Sequence, residues 1–166
     1  MDEVARLLSK LKSDHWLIGC LLYGSGLRLM EALRLRVKDI DIGHEALYIR
    51  GAKGGKDRIV TLPGELIPPL KRHLAVRRTT FDRDISDGTA GVYLPYALER
   101  KLPGVGTIWA WQYVFSAMHT SQDPRSGAIR RHHISESAVQ RAIRKAARVS
   151  GIEKPTSCGK SSRRGA

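Results

Sequence analysis

Arginine, glutamate and lysine side chains lie at spacings that could bind a phosphate group in the first third of the chain. Arg28 follows a Gly-Ser-Gly turn, and Glu31 comes three residues later, within reach of its guanidinium if both lie at the start of a helix. Further along, a glycine-rich turn carries Lys53 and Lys56, whose ammonium groups could reach a phosphate from the side. The alternatives are an ordinary helix start with a solvated ion pair and an ordinary solvated turn.

The elements around these residues follow from hydrophobic spacing. A helix is predicted after the Gly-Ser-Gly turn because the apolar residues recur at helical spacing, namely Leu27, Met30, Ala32, Leu33 and Leu35. Two short β-branched runs, 46–49 and 58–62, flank the glycine-rich turn and predict a β-hairpin. Lys53 and Lys56 are therefore expected on the tip of that hairpin.

Further helices are predicted over residues 2–12, 15–23, 64–78 and 138–149. The third has an apolar side and a basic side, which is either ordinary solvation or a track for phosphates: Lys71, Arg72, Arg77 and Arg78. The last has its apolar residues on one face as well, namely Val139, Ile143, Ala146 and Ala147. These elements are the expected scaffold.

Composition limits the possible functions. The 166 residues suit one domain, and 29 Lys and Arg against 16 Asp and Glu give a net charge of +13, which attracts polyanions such as nucleic acid. The alternatives are a ribosome-like or merely soluble basic protein and a membrane-surface binder, and no long amphipathic basic helix with a bulky apolar face favours the last. Two cysteines build no disulfide framework, and neither has a partner at metal-ligand spacing. With no apolar run of spanning length and no signal peptide, we expect a soluble protein of the reducing cytosol, with no membrane partner.

Aromatic residues alternate in one stretch, at Trp109, Trp111, Tyr113 and Phe115. This spacing predicts a strand or an extended edge with its aromatic side chains on one side. Such a row is commonly core. In a very basic protein, however, two tryptophans spaced by two could also stack on unpaired bases.

Two segments resemble the tyrosine recombinases, the phage-integrase family: LLYGSGLRLMEALRLRVKDIDI and the following GAKGGKDRIVTLP. The resemblance implies a catalytic domain that is mainly α with a small antiparallel β-sheet (α+β), incomplete at its C-terminus. It implies that Arg28 binds the scissile phosphate and that Lys53 acts as an acid toward the leaving oxygen. It implies DNA as the partner, tetramers of the full-length protein on that DNA, and neither a metal ion nor another cofactor.

The resemblance is closest to the integron integrases, which carry an insertion beginning with VYLPYAL and ending with WQYVF, here at about residues 91–118. It implies recombination of gene cassettes between a duplex attachment site and a folded single-stranded site. Residues expected to capture bases that protrude from that strand are Trp111, Pro124, His132 and His133. Neighbouring arginines are expected to hold its backbone, namely Arg125, Arg130 and Arg131. The alternative is that Trp111 packs in the core and the histidines only lead into the next helix.

The family pattern covers residues 1–158 and then stops. It requires a His-x-x-Arg pair and a tyrosine nucleophile beyond that point, but the last histidine is His133 and the last tyrosine is Tyr113. We therefore expect a frameshift or truncation, a disordered tail at 159–166, and a missing N-terminal DNA-clamping domain. The expected protein is a cytoplasmic, nucleoid-associated bacterial fragment that binds DNA but is inactive alone. A non-catalytic, basic nucleic-acid-binding module is the alternative function.

Overall fold

The computed structural model describes residues 2–52 and 54–152, apart from the side chain of Tyr96. The helices of this described part are α1 Glu3–Leu8, α2 Ser13–Gly24, α3 Leu29–Leu33, α4 Ile67–Ser86, α5 Tyr96–Lys101 and α6 Glu136–Val149. Its strands are β1 Ile40–Asp41, β2 Ala46–Ile49, β3 Arg58–Thr61, β4 Ser121–Gln122 and β5 Ile129–Arg130. Lys53 and the predicted disordered tail at 159–166 lie outside the described residues. The expected mainly helical fold with a small antiparallel sheet is confirmed.

The sheet has three antiparallel strands in the order β1-β2-β3. β2 and β3 form the predicted hairpin, with Ala46 opposite Thr61 and Ile49 opposite Arg58. Gly54 and Gly55 in the connecting turn have positive φ angles, which glycine adopts without the steric cost of a Cβ atom. β4 and β5 form a separate antiparallel pair, with Ser121 opposite Arg130 and Gln122 opposite Ile129.

One hydrophobic core joins the helices to the sheet. Its fully buried side chains come from α2, α3, β2, α4, α6 and the connecting segments, and include Ile18, Leu21, Leu33, Leu47, Leu70, Phe115 and Val139. α6 buries the four residues predicted for its inner face. Its N-terminus is capped by Ser135, whose Oγ accepts a hydrogen bond from the Ala138 N–H at 3.1 Å. No helix of the described residues has both the length and the hydrophobicity of a membrane span.

α4 is longer than predicted and its basic side is not uniform. It continues to Ser86, because Phe81 and Asp84 are buried where the sequence only shows rising polarity. Arg77, predicted on the exposed basic side, is 3% exposed; its Nε donates to the Tyr113 carbonyl at 3.1 Å and its Nη2 to Gln112 Oε1 at 3.1 Å. Burial lowers the pKa of this guanidinium to about 10. Arg77 therefore connects α4 to the segment that contains Gln112 and Tyr113.

The predicted aromatic strand or extended edge is wrong for its first half, and the second half is extended. Residues Trp109–Trp111 form a single 3₁₀ turn, and only the residues after it pair with another segment: the Val114 N–H donates to the Leu35 carbonyl at 2.9 Å. Phe115 is buried in the main core, whereas Tyr113 belongs to a small second cluster with Val92 and Leu94. The alternation is a consequence of two different packing environments and not of one sheet face.

A buried ion pair connects α4 to the segment before α6. Arg131 Nε lies 2.7 Å from Asp84 Oδ2, and Arg131 Nη2 lies 2.8 Å from Asp84 Oδ1. The remaining amino group, Nη1, donates to the carbonyls of Ala117 and Met118 at 2.9 and 2.8 Å. Such a pair stabilises the fold only while both partners are present, since the removal of one leaves a buried charge.

We expect Asp84→Ala to lower the free energy of unfolding by about 3–5 kcal/mol, because it leaves the Arg131 guanidinium buried without a counter-charge. Asp82→Ala is the matched control: Asp82 is on the same helix in an exposed pair with Arg78, at 3.1 Å, and its loss should cost about 1 kcal/mol or less. Urea denaturation of both variants measures the difference. Equal losses would show that the Asp84–Arg131 pair is no more important than a surface pair.

Candidate functional site

Arg28 lies directly before α3 and shares a carboxylate with a second arginine. Its backbone N–H donates to Glu31 Oε2 at 2.8 Å, and its guanidinium Nη1 lies 3.4 Å from Glu31 Oε1. Arg58, on β3, binds the same carboxylate through two guanidinium hydrogen bonds of 2.6 and 2.9 Å, both shorter than the 3.4 Å contact of the Arg28 guanidinium. The predicted pairing of Arg28 with Glu31 is therefore present, but Arg58 is the stronger partner of Glu31.

The Arg28 guanidinium is free to bind an external anion. Its side chain is 53% exposed, whereas that of Glu31 is 11% exposed. Burial alone raises the pKa of Glu31, but the hydrogen bonds from Arg58 and from the Arg28 N–H outweigh it, so the net pKa of this carboxyl lies below its ordinary value. Glu31 therefore remains ionised at neutral pH and orients Arg28 without occupying all of its donors.

The hairpin tip supplies one described lysine. Lys56 is exposed near the end of the β2–β3 connection. Asp57 closes this connection by accepting the Gly51 N–H at 2.9 Å. Lys53, the predicted acid, lies outside the described residues.

The structure contains a cleft of about 850 Å³. One wall is formed by α3 and β2, and the other by residues between 93 and 133. It is lined by five of the residues predicted to contact DNA, namely Trp111, Pro124, Arg125, His132 and His133. These residues are up to 22 positions apart in sequence, since the first is Trp111 and the last His133. The fold thus brings together an indole, a proline ring, two imidazoles and a guanidinium on one concave surface.

Arg36 joins the two sides of the cleft. Its Nη1 donates to the Trp111 carbonyl at 2.7 Å and its Nη2 to the Tyr93 carbonyl at 2.8 Å. The guanidinium carbon also lies 4.5 Å from the centroid of the Tyr113 ring. These contacts fix the backbone that carries Trp111 against the turn that follows α3.

The far wall contains the histidine pair and Arg125. His133 Nδ1 lies 2.8 Å from the Ile134 carbonyl, which only accepts, so Nδ1 is the donor and the neutral ring presents Nε2 as an acceptor. The His133 ring meets the Tyr113 ring edge-on, with centroids 5.3 Å apart. Arg125 Nη1 donates to the Tyr93 hydroxyl at 2.7 Å. The two histidine rings are half-buried, which leaves part of their surface open to a ligand.

Two of the predicted backbone-binding arginines do not fit that role. Arg131 is buried and uses its guanidinium on Asp84 and two carbonyls, as described above. Arg130 has a side chain that is 12% exposed, and it pairs with Asp123 at 3.2 Å and with Glu99 at 3.3 Å. Arg130 holds the loop that carries Pro124 and Arg125 through its pair with Asp123, whereas Arg131 fastens its own segment to α4. Neither arginine lines the cleft.

Six further residues line the cleft that were not predicted as site residues from the sequence: Arg34, Arg36, Lys38, Tyr48, Arg50 and Tyr93. Arg34, Arg36 and Lys38 alternate across the C-terminal end of the helix predicted around Arg28, and this spacing was an available signal. Tyr48 on β2 and Arg50 directly after β2 are two residues apart, and period-two alternation places such residues on the same side of an extended chain. Tyr93 carried no such signal, because its position depends on tertiary contacts.

The comparison with known proteins agrees with this architecture. The model of the phage integrase family matches residues 1–160. The chain belongs to the phage integrase family. A crystal structure of XerA recombinase is similar in fold, with a TM-score of 0.58 and 22% sequence identity over 94% of this chain and 44% of that one.

Curated relatives are longer than this chain. An integrase/recombinase of Escherichia coli and one of Pseudomonas aeruginosa are each 46% identical over 154 residues, which is 93% of this chain and 46% of each relative. Tyrosine recombinase XerA of Pyrococcus furiosus is 40% identical over 84 residues, or 49% of this chain and 29% of that protein. The chain thus spans less than half the length of these relatives.

Arg28→Lys separates a phosphate-binding role from a structural one. If Arg28 binds phosphate, the variant should lose about tenfold in DNA affinity at an unchanged melting temperature, because lysine keeps the charge but cannot donate two parallel hydrogen bonds. Fluorescence anisotropy with labelled DNA and thermal denaturation of the same preparation measure both quantities. A lowered melting temperature with unchanged affinity would contradict the phosphate role and leave Arg28 as a partner of Glu31.

Proposed function

We propose that the chain is the catalytic-domain portion of an integron-type site-specific tyrosine recombinase, and that its cleft receives bases that protrude from a folded single-stranded recombination site. The main support for this proposal is that one cleft is lined by residues from different parts of the sequence, namely Trp111, Pro124, His132 and His133. Aromatic and imidazole faces stack on bases of any sequence, at about 1–3 kcal/mol per base.

The phosphate chemistry assigns separate roles to the other residues. Attack by a tyrosine on a phosphodiester requires that the charge on the non-bridging oxygens is balanced, because a phenol with a pKa of about 10 is a poor nucleophile at neutral pH. Arg28 supplies part of that charge from an exposed position oriented by Glu31. Lys53 is proposed as the acid toward the leaving oxygen, and Lys56 and Arg125 as contacts to the DNA backbone.

DNA is the proposed partner because the chain carries a net charge of +13 and because two relatives are named integrase/recombinase. We place the protein in the bacterial cytoplasm at the nucleoid. The second candidate is a basic nucleic-acid-binding module without a role in recombination. It is favoured by the exposed basic residues of α4, Lys71, Arg72 and Arg78, which lie outside the cleft.

Base capture predicts a preference for extrahelical bases. A DNA hairpin with bulged bases should bind about tenfold more tightly than the same hairpin fully paired, and His132→Ala or His133→Ala should abolish this preference while the affinity for the paired hairpin stays nearly unchanged. Anisotropy titrations with both hairpins measure the ratio.

His119→Ala is the matched control for this experiment, because His119 is exposed and does not line the cleft. It should leave the preference for bulged bases intact. Equal losses on both hairpins in the His132 and His133 variants would contradict base capture, and would agree with the basic-module alternative.

A polypeptide of these 166 residues should form no covalent complex with a nicked suicide substrate. Its sequence has no tyrosine after Tyr113, and Tyr113 is 5% exposed beneath the Arg36 guanidinium. Denaturing electrophoresis of labelled DNA detects a covalent band. A band that disappears in Tyr113→Phe would show that Tyr113 is a nucleophile and that the proposed assignment of the site is wrong.

A further inference from the structure

The indole ring of Trp111 is not free in this structure. The Lys38 ammonium lies 4.4 Å from the centroid of the ring, within the range of a cation–π contact. The same ammonium lies 3.3 Å from Asp39 Oδ1, and the Lys38 side chain is 25% exposed. An incoming base and this ammonium therefore compete for one ring.

Asp39 does not need Lys38 in order to remain compensated. Its carboxylate is buried, and it also accepts the Arg36 N–H at 3.2 Å and the Arg50 Nε–H at 3.3 Å. Lys38 can therefore leave Trp111 and Asp39 without leaving an unpaired buried charge behind. Displacement removes the cation–π contact of the ammonium and its contact with Asp39, and this loss is compensated by the stacking of the base together with a new anionic partner for the ammonium.

The surroundings define what that partner is. Three carboxylates line the cleft, and each already binds at least one arginine: Glu31 binds Arg28 and Arg58, Asp39 binds Arg50, and Asp123 binds Arg130. Arg34 also lines the cleft, and no hydrogen bond or ion pair joins its side chain to the described residues. A displaced ammonium therefore enters a region with excess positive charge, where an anion is the favourable partner.

We propose that Lys38 is a displaceable cap on Trp111: an extrahelical nucleobase displaces the ammonium from the ring, and the ammonium then binds the phosphate of the same nucleotide. This inference rests on the proposed base capture and adds the residue that couples base stacking to phosphate charge. Stacking of the base on Trp111 is therefore most favourable when a charged phosphate accompanies the base, because the displaced ammonium then binds that phosphate.

Four hairpins test this coupling. They combine a bulged thymidine or an abasic bulge with a normal phosphate or a neutral methylphosphonate on the 5′ side of that bulge. The base preference is the ratio of affinities for the thymidine and abasic hairpins, and the coupling is the change in this ratio when the phosphate is made neutral. Anisotropy titrations with the full chain and its variants measure all four affinities.

For the unaltered chain, we expect the base preference to fall about two- to fivefold when the phosphate is neutral, since that range corresponds to one cation–π contact of low strength. In Lys38→Met, the base preference should be the same with the normal phosphate and with the methylphosphonate. It should also be at least as large as the base preference of the unaltered chain measured with the normal phosphate. Arg34→Met is the matched control: it removes a positive charge from the cleft away from the Trp111 ring, so it should weaken binding to all four hairpins and keep the coupling.

If the coupling in Lys38→Met equals that of the unaltered chain, the inference is wrong. The inference is also wrong if Lys38→Met loses the base preference with both linkages. Lys38→Gln provides a second neutral variant if the first does not fold, which thermal denaturation shows. A chain without any preference for thymidine over the abasic bulge, in every variant, would contradict base capture itself. That outcome differs from a preference that is present but independent of Lys38.

Discussion

The contact between Arg36 and two backbone carbonyls supports the rest of the functional surface. Its guanidinium binds the carbonyls of Trp111 and Tyr93 and lies against the Tyr113 ring, so the turn after α3 and the segment before β4 are fixed relative to each other. A guanidinium suits this position because its planar array of donors reaches both carbonyls and keeps a flat face for the ring. Without this contact, the cleft would lack a defined wall at Trp111.

The chain uses its many arginines for two different purposes. Arg77 and Arg131 are buried and fasten α4 to segments of the 93–133 side of the cleft, through carbonyls, Gln112 and Asp84. Arg28 and Arg34 are exposed, and keep donors that the fold does not use. Buried guanidinium groups are stabilising only when they are paired, so the framework arginines are bound by their partners and the remaining ones are available to a polyanion. A high net charge alone does not distinguish these two sets.

The sequence predicted what depends on local spacing. The helix after Arg28, the β2–β3 hairpin and α6 with its inner face all follow from periodicity and turn residues, and the Arg28–Glu31 pair follows from the three-residue spacing. The length of α4, the turn at Trp109–Trp111 and the burial of Arg77 and Arg131 depend on partners distant in sequence, such as Asp84 and Gln112. The same limit applies to the site: the resemblance named the residues around Trp111, but only the tertiary structure shows that Arg36 and Lys38 accompany them.

The central claim is that an extrahelical base stacks on Trp111 inside the cleft. The most direct measurement replaces the bulged base of a DNA hairpin with 2-aminopurine, whose fluorescence falls when it stacks on an aromatic ring. We predict that the fluorescence decreases when the unaltered chain binds, and that Trp111→Leu binds the hairpin with most of this decrease lost. An equal decrease with both proteins, or none with either, would contradict the account.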